Sequence, residues 1–239
     1  MSTNYFLLSK PQRSSIEDNG DNQIVYLNSR NVFILPEINL DYYSKNGLFE
    51  SQLIEWCKQY CKKNMSFLDI GAHTGTYSIS LSKYCSEVYS FEPQRATYYA
   101  LCGGVALSNI RNITCYNIGL GSEAQVGQQT LHIVSPDGGG STIHETAEVV
   151  LETETIEIRT LDSFHFTDVG FIKMDVEENE LFVLKGGEKT IKASHFPPIV
   201  FESNIDTNTA LFDYIRDVLG YSIIKIYGCV NMYLATYNK

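Results

Sequence analysis

Residues 67–78 read FLDIGAHTGTYS, and this stretch decides the fold. An apolar run closes on an acid, Asp69, and two glycines follow at Gly71 and Gly75. The pattern predicts a short buried strand (SFLDIG), a tight turn, and a helix continuing through TGTYSISLSKYC. Gly71 permits the turn and a close backbone approach, and Gly75 opens the helix, whose free N–H groups suit an anionic ligand group. Many turns hold two glycines, so these residues alone do not identify a cofactor loop.

Outward from that turn the chain alternates strand and helix. EVYSFEP reads as the second strand and Ala96–Leu107 as the second helix. NITCYNIGLG, GFIKMDVE and PPIVFESN read as the third to fifth strands, with NELFVLKGGEKTIKAS and NTALFDYIRDVLGY as the helices after the fourth and fifth. This rhythm implies a parallel sheet with helices on both faces. SIIKIYG and NMYLATYN close the chain as an antiparallel hairpin at the sheet edge. Residues 121–162 form an insertion of added strands around a glycine-rich segment, SPDGGGSTI, that is expected to close over the acceptor.

Upstream, residues 1–62 read as an N-terminal extension capping the main domain, residues 63–239. Residues 1–21 are polar and loosely ordered or strand-like. QIVYLNSRNVFILPE predicts two strands in a hairpin about Asn28–Asn31. GLFESQLIEWCKQYCKK is amphipathic at helical spacing, with Leu48, Leu53, Ile54, Cys57 and Cys61 on one face.

The bulk properties narrow the function. A net charge of −10 with no Lys/Arg run disfavours nucleic acid and anionic membranes as partners. None of the six cysteines forms a C-x-x-C pair and most lie in apolar segments, the usage of reduced thiols in a cytoplasmic protein. Cys57 and Cys61, four apart on a helix, have no matching pair nearby and read as packing residues. The opening residues lack the basic region of a signal peptide, and no run is long enough to span a bilayer. Asn112-Ile113-Thr114 matches a glycosylation sequon that a non-secreted chain would not use.

Ligands of parallel α/β sheets bind beyond the carboxyl ends of the strands. Glu92 ends the second strand 21 residues after Gly71, the placement of an acid that binds ribose hydroxyls. Asn117, at the end of the third strand, either reads an adenine edge or forms a turn. A dinucleotide site wants a second glycine where this chain has His73, because the backbone there must touch a pyrophosphate. A cofactor with ribose and adenine but no phosphate fits better, and S-adenosylmethionine is such a cofactor. Histidine is enriched among non-glycine residues at positive φ, so His73 can take the turn's backbone shape, with its side chain toward the cofactor's amino-acid end or the acceptor.

The set of motifs resembles the FkbM family of S-adenosylmethionine-dependent methyltransferases. LDIGAHTG corresponds to its V-D-I-G-A-N-x-G, VYSFEP to its A-F-E-P strand, Thr160-Leu161-Asp162 to its TLD, IKMDVEENELFVLKG to its I-K-I-D-V-E-G block, and IVFE to its closing strand. The resemblance implies a Rossmann-like class I methyltransferase fold: a seven-stranded, mostly parallel sheet with an antiparallel C-terminal hairpin. It implies O-methylation of a natural product, sugar or glycan, with Asp69, Gly71, His73, Gly75 and Glu92 holding the cofactor and Glu50 on the cofactor side; Ala72, Thr76, Pro93, Asn117 and Asp175, at the same strand ends, complete the expected cofactor set. The chain departs from the family pattern at His73, where Asn is usual, and at Glu178, where glycine follows D-V-E.

Methyl transfer to a hydroxyl needs alignment of the acceptor and a base or metal to favour the alkoxide. Asp175 is the first choice for the base. Lys173, on the same face, either orients the acceptor or forms a structural ion pair. Glu202 shapes the acceptor side, or joins Asp175 and Asn204 as oxygen ligands for Mg²⁺ or Mn²⁺. His132, His144, His165 and His195 show no metal spacing. The expected protein is a monomer or homodimer acting on a small-molecule or glycan acceptor. Two other classes stay open: a nicotinamide-dependent oxidoreductase, and a cofactor-binding module without catalysis.

Overall fold

The computed structural model describes residues 3–9, 14–18, 23–27, 31–146, 148–205 and 207–237. The N-terminal part carries β1 (Tyr5–Ser9), β2 (Ser14–Asp18), β3 (Gln23–Leu27) and β4 (Val32–Pro36), then α1 (Leu40–Asn46) and α2 (Ser51–Cys57). The two strands expected within residues 23–36 both form, but they do not pair with each other. β4 pairs antiparallel with β1, Tyr5 opposite Pro36, and β3 pairs with β2, Ser14 opposite Leu27. The two ladders share one register, that of a single longer hairpin. The apolar residues of β4 decide the matter: Phe33 and Leu35 are buried with Tyr43 and Ile79, and Phe6 and Leu8 of β1 pack against the same cluster. The turn expected at 28–31 lies, apart from Asn31, outside the described residues.

The central sheet contains β5 (Ser66–Ile70), β6 (Val88–Phe91), β7 (Ile113–Tyr116), β11 (Val169–Met174), β12 (Ile199–Glu202), β13 (Ser222–Lys225) and β14 (Met232–Thr236). Their order is β13-β14-β12-β11-β5-β6-β7. The five strands from β12 to β7 run parallel, and β14 pairs antiparallel with both β12 and β13. The expected C-terminal hairpin therefore forms, with β14 inserted beside β12 and only β13 at the edge. Alternation along the strands assigns the two faces. Leu68, Ile70, Ile172, Met174, Ile199 and Phe201 pack under α5 (Glu180–Lys185), α6 (Glu188–Ala193) and α7 (Thr209–Asp213). Phe67, Phe171 and Val200 face α2 and α3 (Thr76–Leu81) on the other side. Helix α4 (Arg95–Leu107) follows β6.

The helix expected over residues 179–194 is two helices, broken at Gly186-Gly187. A Cβ on Gly186 would run into the carbonyl of Gly121, so close approach to the insertion decides the break. Asp162 of the TLD motif begins the next piece: its carboxylate accepts the backbone N–H groups of Lys189 (3.1 Å) and Thr190 (2.8 Å) in the first turn of α6. The third strand expected over NITCYNIGLG ends at Tyr116, and its last residues, β8 (Gly119–Leu120), leave the central sheet to join β10 (Glu152–Arg159) and β9 (Gly127–Ile133) of the insertion in a small sheet, in the order β8-β10-β9. Inward-facing Leu131, Ile133, Ile156 and Ile158 make its core. No helix among the described residues is long and apolar enough to cross a membrane.

Candidate active site

The carboxyl ends of β5, β6 and β11 converge on a cavity of about 440 Å³, within the range of small-molecule and cofactor sites. The turn after β5 forms its floor. Gly71 takes φ 74°, and a Cβ there would collide with the backbone carbonyl of Asp175, so only glycine lets β5 and β11 end this close together. Gly71 and Ala72 both donate their N–H groups to Phe91 O, at 3.0 and 2.9 Å, which ties the turn to β6. His73 takes φ 50°, the left-handed shape expected of it.

Two buried acids brace this turn from different sides. Asp69 Oδ2 accepts the N–H of Ser78 at 2.9 Å and also its hydroxyl, fixing the first turn of α3 to the end of β5. Asp69 Oδ1 meets no donor among the described residues. Burial pushes the Asp69 carboxyl upward, while Lys173 and Ser78 pull it down. Glu92 Oε1 accepts the Gln94 N–H and the Thr97 hydroxyl, both at 2.9 Å. Its Oε2 accepts the His73 N–H at 2.7 Å. Three of about four lone-pair positions are thereby taken, and one on Oε2 is left for a ligand hydroxyl.

Glu50, Gly71, Ala72, His73, Thr76, Glu92, Pro93, Lys173, Asp175 and Glu202 all line the cavity. Asp69 and Gly75 lie beneath it instead: Asp69 caps α3, and Gly75, at φ 83°, sits where a Cβ would strike Leu101. Of the two roles the sequence leaves open for Asn117, the turn holds and the place beside the cofactor does not. Its amide donates to Glu92 O (3.0 Å) and Pro93 O (2.8 Å), so both hydrogens serve the bend after β6 and neither reaches the cavity. Sequence reasoning missed Gln94, which adjoins Glu92 and lines the wall, and Ile156 and Ile158, which the alternation of TETIEIR could have flagged.

On the β11 side, Lys173 is buried; its Nζ donates to Gly71 O at 3.0 Å and pairs with Asp175 Oδ2 at 3.4 Å. Burial lowers the lysine's pKa, but Asp175, Asp69 and Glu50 together outweigh it and hold the ammonium above its ordinary value. Tyr77 Oη donates to Glu50 Oε2 at 2.8 Å. Glu202 is surrounded by charge: burial, then Asp175, Glu177 and Glu50, raise its carboxyl to about 7. Glu177 and Glu178 both hold positive φ, 50° and 74°. The turn that the family builds with glycine is thus kept by Glu178 at a conformational cost.

A second cavity of about 420 Å³ shares Asp175, Glu177 and Glu202 with the first. Asn204 lines this second cavity together with Asp175 and Glu202. Among the described residues no three His, Cys, Asp or Glu side chains cluster as a metal-holding group.

Solved structures share this architecture at low identity. A candidate rRNA-methylase of Clostridium thermocellum is 10% identical with a TM-score of 0.51, over 77% of this chain and 91% of that one. A precorrin-6y C5,15-methyltransferase of Geobacter metallireducens is 15% identical, TM-score 0.47, over 81% and 92%. A candidate methyltransferase of Streptococcus mutans, solved with S-adenosylhomocysteine, is 11% identical, TM-score 0.49, over 77% and 93%. No curated relative matches the chain. Residues 69–223, well over half of the chain, match the Methyltransferase FkbM domain, and they carry the Gly71 turn, Glu92, Lys173, Asp175 and Glu202. The chain belongs to the FkbM methyltransferase family and is an S-adenosylmethionine-dependent methyltransferase.

Proposed function

We propose that this chain methylates a hydroxyl of a sugar, glycan or other small polyhydroxylated molecule. The observation that carries the reading is the junction of the two cavities at Asp175, Glu177 and Glu202. The first cavity suits the cofactor. Its walls include Phe91, Ile118 and Ile158, which fit a purine, and Glu92 keeps a lone pair for a ribose hydroxyl. S-adenosylmethionine supplies an electrophilic methyl on a sulfonium, and its net positive charge matches the surplus of Glu50, Asp175, Glu177 and Glu202 over Lys173. The second cavity suits the acceptor. Beyond the shared acids it offers hydroxyls and amides from Ser203, Asn204, Thr207 and Asn208, with Phe182 as an apolar face. Among the described residues Lys173 is the one Lys or Arg lining either cavity, so a neutral or cationic acceptor is favoured over a phosphorylated one.

Within this reading Glu202, rather than Asp175, takes the acceptor's proton. A carboxylate with a pKa near 7 is matched to base catalysis at neutral pH. Asp175 is already engaged by the Lys173 ammonium, which also donates to the Gly71 carbonyl, and the pair orients the acceptor. Lys173 lies on the cofactor side of the junction, and transfer without added Mg²⁺ or Mn²⁺ is part of the proposal. Calorimetry with S-adenosylhomocysteine, followed by a methyl-transfer screen over neutral, amine-bearing and phosphorylated sugars with chelator or added Mg²⁺ or Mn²⁺, tests the reading. Binding, then O-methylation of unphosphorylated sugars in chelator, is expected. Transfer to nitrogen or carbon, or a strict metal requirement, overturns it, as does NADH binding in place of S-adenosylhomocysteine. Physiologically, a cytoplasmic monomer or homodimer acting without nucleic acid or membrane is the matching proposal.

A further inference from the structure

The glycine-rich segment of the insertion lies across the first cavity, and the groups that fasten it are themselves parts of the site. Asp137, Gly138, Gly139 and Ser141 line the cavity. His73 Nε2 lies 2.6 Å from Asp137 O; a carbonyl only accepts, so Nε2 carries the proton and donates. Asn39 Nδ2 donates to Asp137 Oδ2 at 2.7 Å. Gly140 N donates to Glu177 Oε1 at 3.0 Å, and Ser141 Oγ donates to Gln94 Oε1 at 3.3 Å. Gly138, at φ 86°, is seated so closely that a Cβ would lie 2.6 Å from Gln94 Oε1 and 2.9 Å from Thr97 Cγ2.

We propose that residues 135–141 are a lid that lifts for cofactor exchange, and that His73 is its latch. His73 faces both ways: its backbone N–H holds Glu92 Oε2 at 2.7 Å, and its ring holds the lid. The lid is thereby fastened to the carboxylate assigned above to the ribose, an inference that rests on the cofactor reading. It also gives a reason for histidine where the family pattern has asparagine, whose shorter amide does not extend as far as a ring Nε2. His73 is a positioning residue; it acts on exchange through the lid rather than on the transferred methyl. The remaining fastenings at Thr3, whose hydroxyl donates to Pro136 O at 2.7 Å, and at Asn39, Glu177 and Gln94 keep the lid in register when one is lost, so a single change loosens it without unfolding the insertion.

The test pairs hydrogen exchange of residues 135–141 in the cofactor-free protein with the rate of S-adenosylhomocysteine release by competitive displacement. In His73→Asn, lid amides exchange faster and release accelerates about 3- to 10-fold, the scale of one hydrogen bond. His73→Gln, whose terminal amide reaches further than asparagine's, restores most of both. Gly138→Ala, which obstructs the seat and leaves the latch alone, gives the same loosening by an independent route. Unchanged lid exchange in both His73→Asn and Gly138→Ala overturns the lid. Faster release in His73→Asn with unaltered lid exchange overturns the latch and assigns His73 to direct cofactor contact. Failure of S-adenosylhomocysteine to bind the unaltered protein rejects the cofactor reading instead, and the exchange measurement still judges the lid.

Discussion

Glu92 follows β6 and Glu202 ends β12, both at the carboxyl edge of the same parallel sheet. Their surroundings differ in kind. Glu92 is buried among three donors, from His73, Gln94 and Thr97, which fix its geometry before any ligand arrives. Glu202 is raised first by burial and then by the charges of Asp175, Glu177 and Glu50, with no hydrogen-bond donor to its carboxylate among the described residues. A carboxylate held by several donors is built to recognise; one crowded by other acids has a reason to take up a proton. On the proposed function, the same sheet edge separates holding a cofactor from moving a proton.

The sharpest break of this comparison is Glu202→Gln. It should lower kcat by about 10²- to 10⁴-fold, the usual contribution of a general base, with S-adenosylhomocysteine affinity nearly unchanged. In the unaltered enzyme kcat should rise with pH through about 7, as the Glu202 carboxyl loses its proton. Asp175→Asn should also impair turnover but keep that pH limb. If Asp175→Asn removes the limb and Glu202→Gln does not, the two roles are reversed.

On the cofactor side, Gly71→Ala should cost on the order of 3 kcal/mol or more of stability, since it combines a left-handed φ with overlap of the Asp175 carbonyl. A thermal midpoint within a degree of the unaltered protein would show that β5 and β11 can part, contrary to the tight floor described here.

Glu180 extends the acceptor-side logic to stability. It is buried, accepts the Val176 N–H at 3.1 Å, and burial raises its carboxyl to about 7. Because its folded pKa lies above the unfolded value, the folded state holds more protons between about 4.5 and 7, and its contribution to stability falls as pH rises through that window. Glu180→Gln keeps the acceptor oxygen and removes the charge. It should raise stability by on the order of 2 kcal/mol at pH 8 and change little at pH 4. Equal midpoint shifts at the two pH values would assign the effect to packing.

The smallest effect belongs to the exposed strained turn. Glu178→Gly relieves a φ of 74°, offset by the greater chain entropy of glycine, and should stabilise by about 0.5 kcal/mol in denaturant melts. A loss of stability there would mean that the Glu178 side chain, not its backbone shape, holds the turn.

The sequence by itself determined the parallel sheet, the glycine turn, the acid beyond it and the block that carries Lys173 and Asp175. These features are local: strand periodicity, a φ that glycine or histidine tolerates, and fixed spacings along one chain segment. The glycine-rich segment was legible as a candidate closing element because glycine content is visible without a partner, but it was expected over the acceptor, and the fold lays it across the first cavity. Only the tertiary structure decided where Asn117 points, since two backbone carbonyls after β6 compete with the cavity for its amide. Only it decided that β4 pairs with β1 rather than β3, because both strands share the buried cluster around Leu35. The crowding of charge that raises the Glu202 carboxyl was equally hidden. It depends on how many charges meet at one point, and Asp175, Glu177, Glu50 and Lys173 come from separate segments that the fold alone brings together.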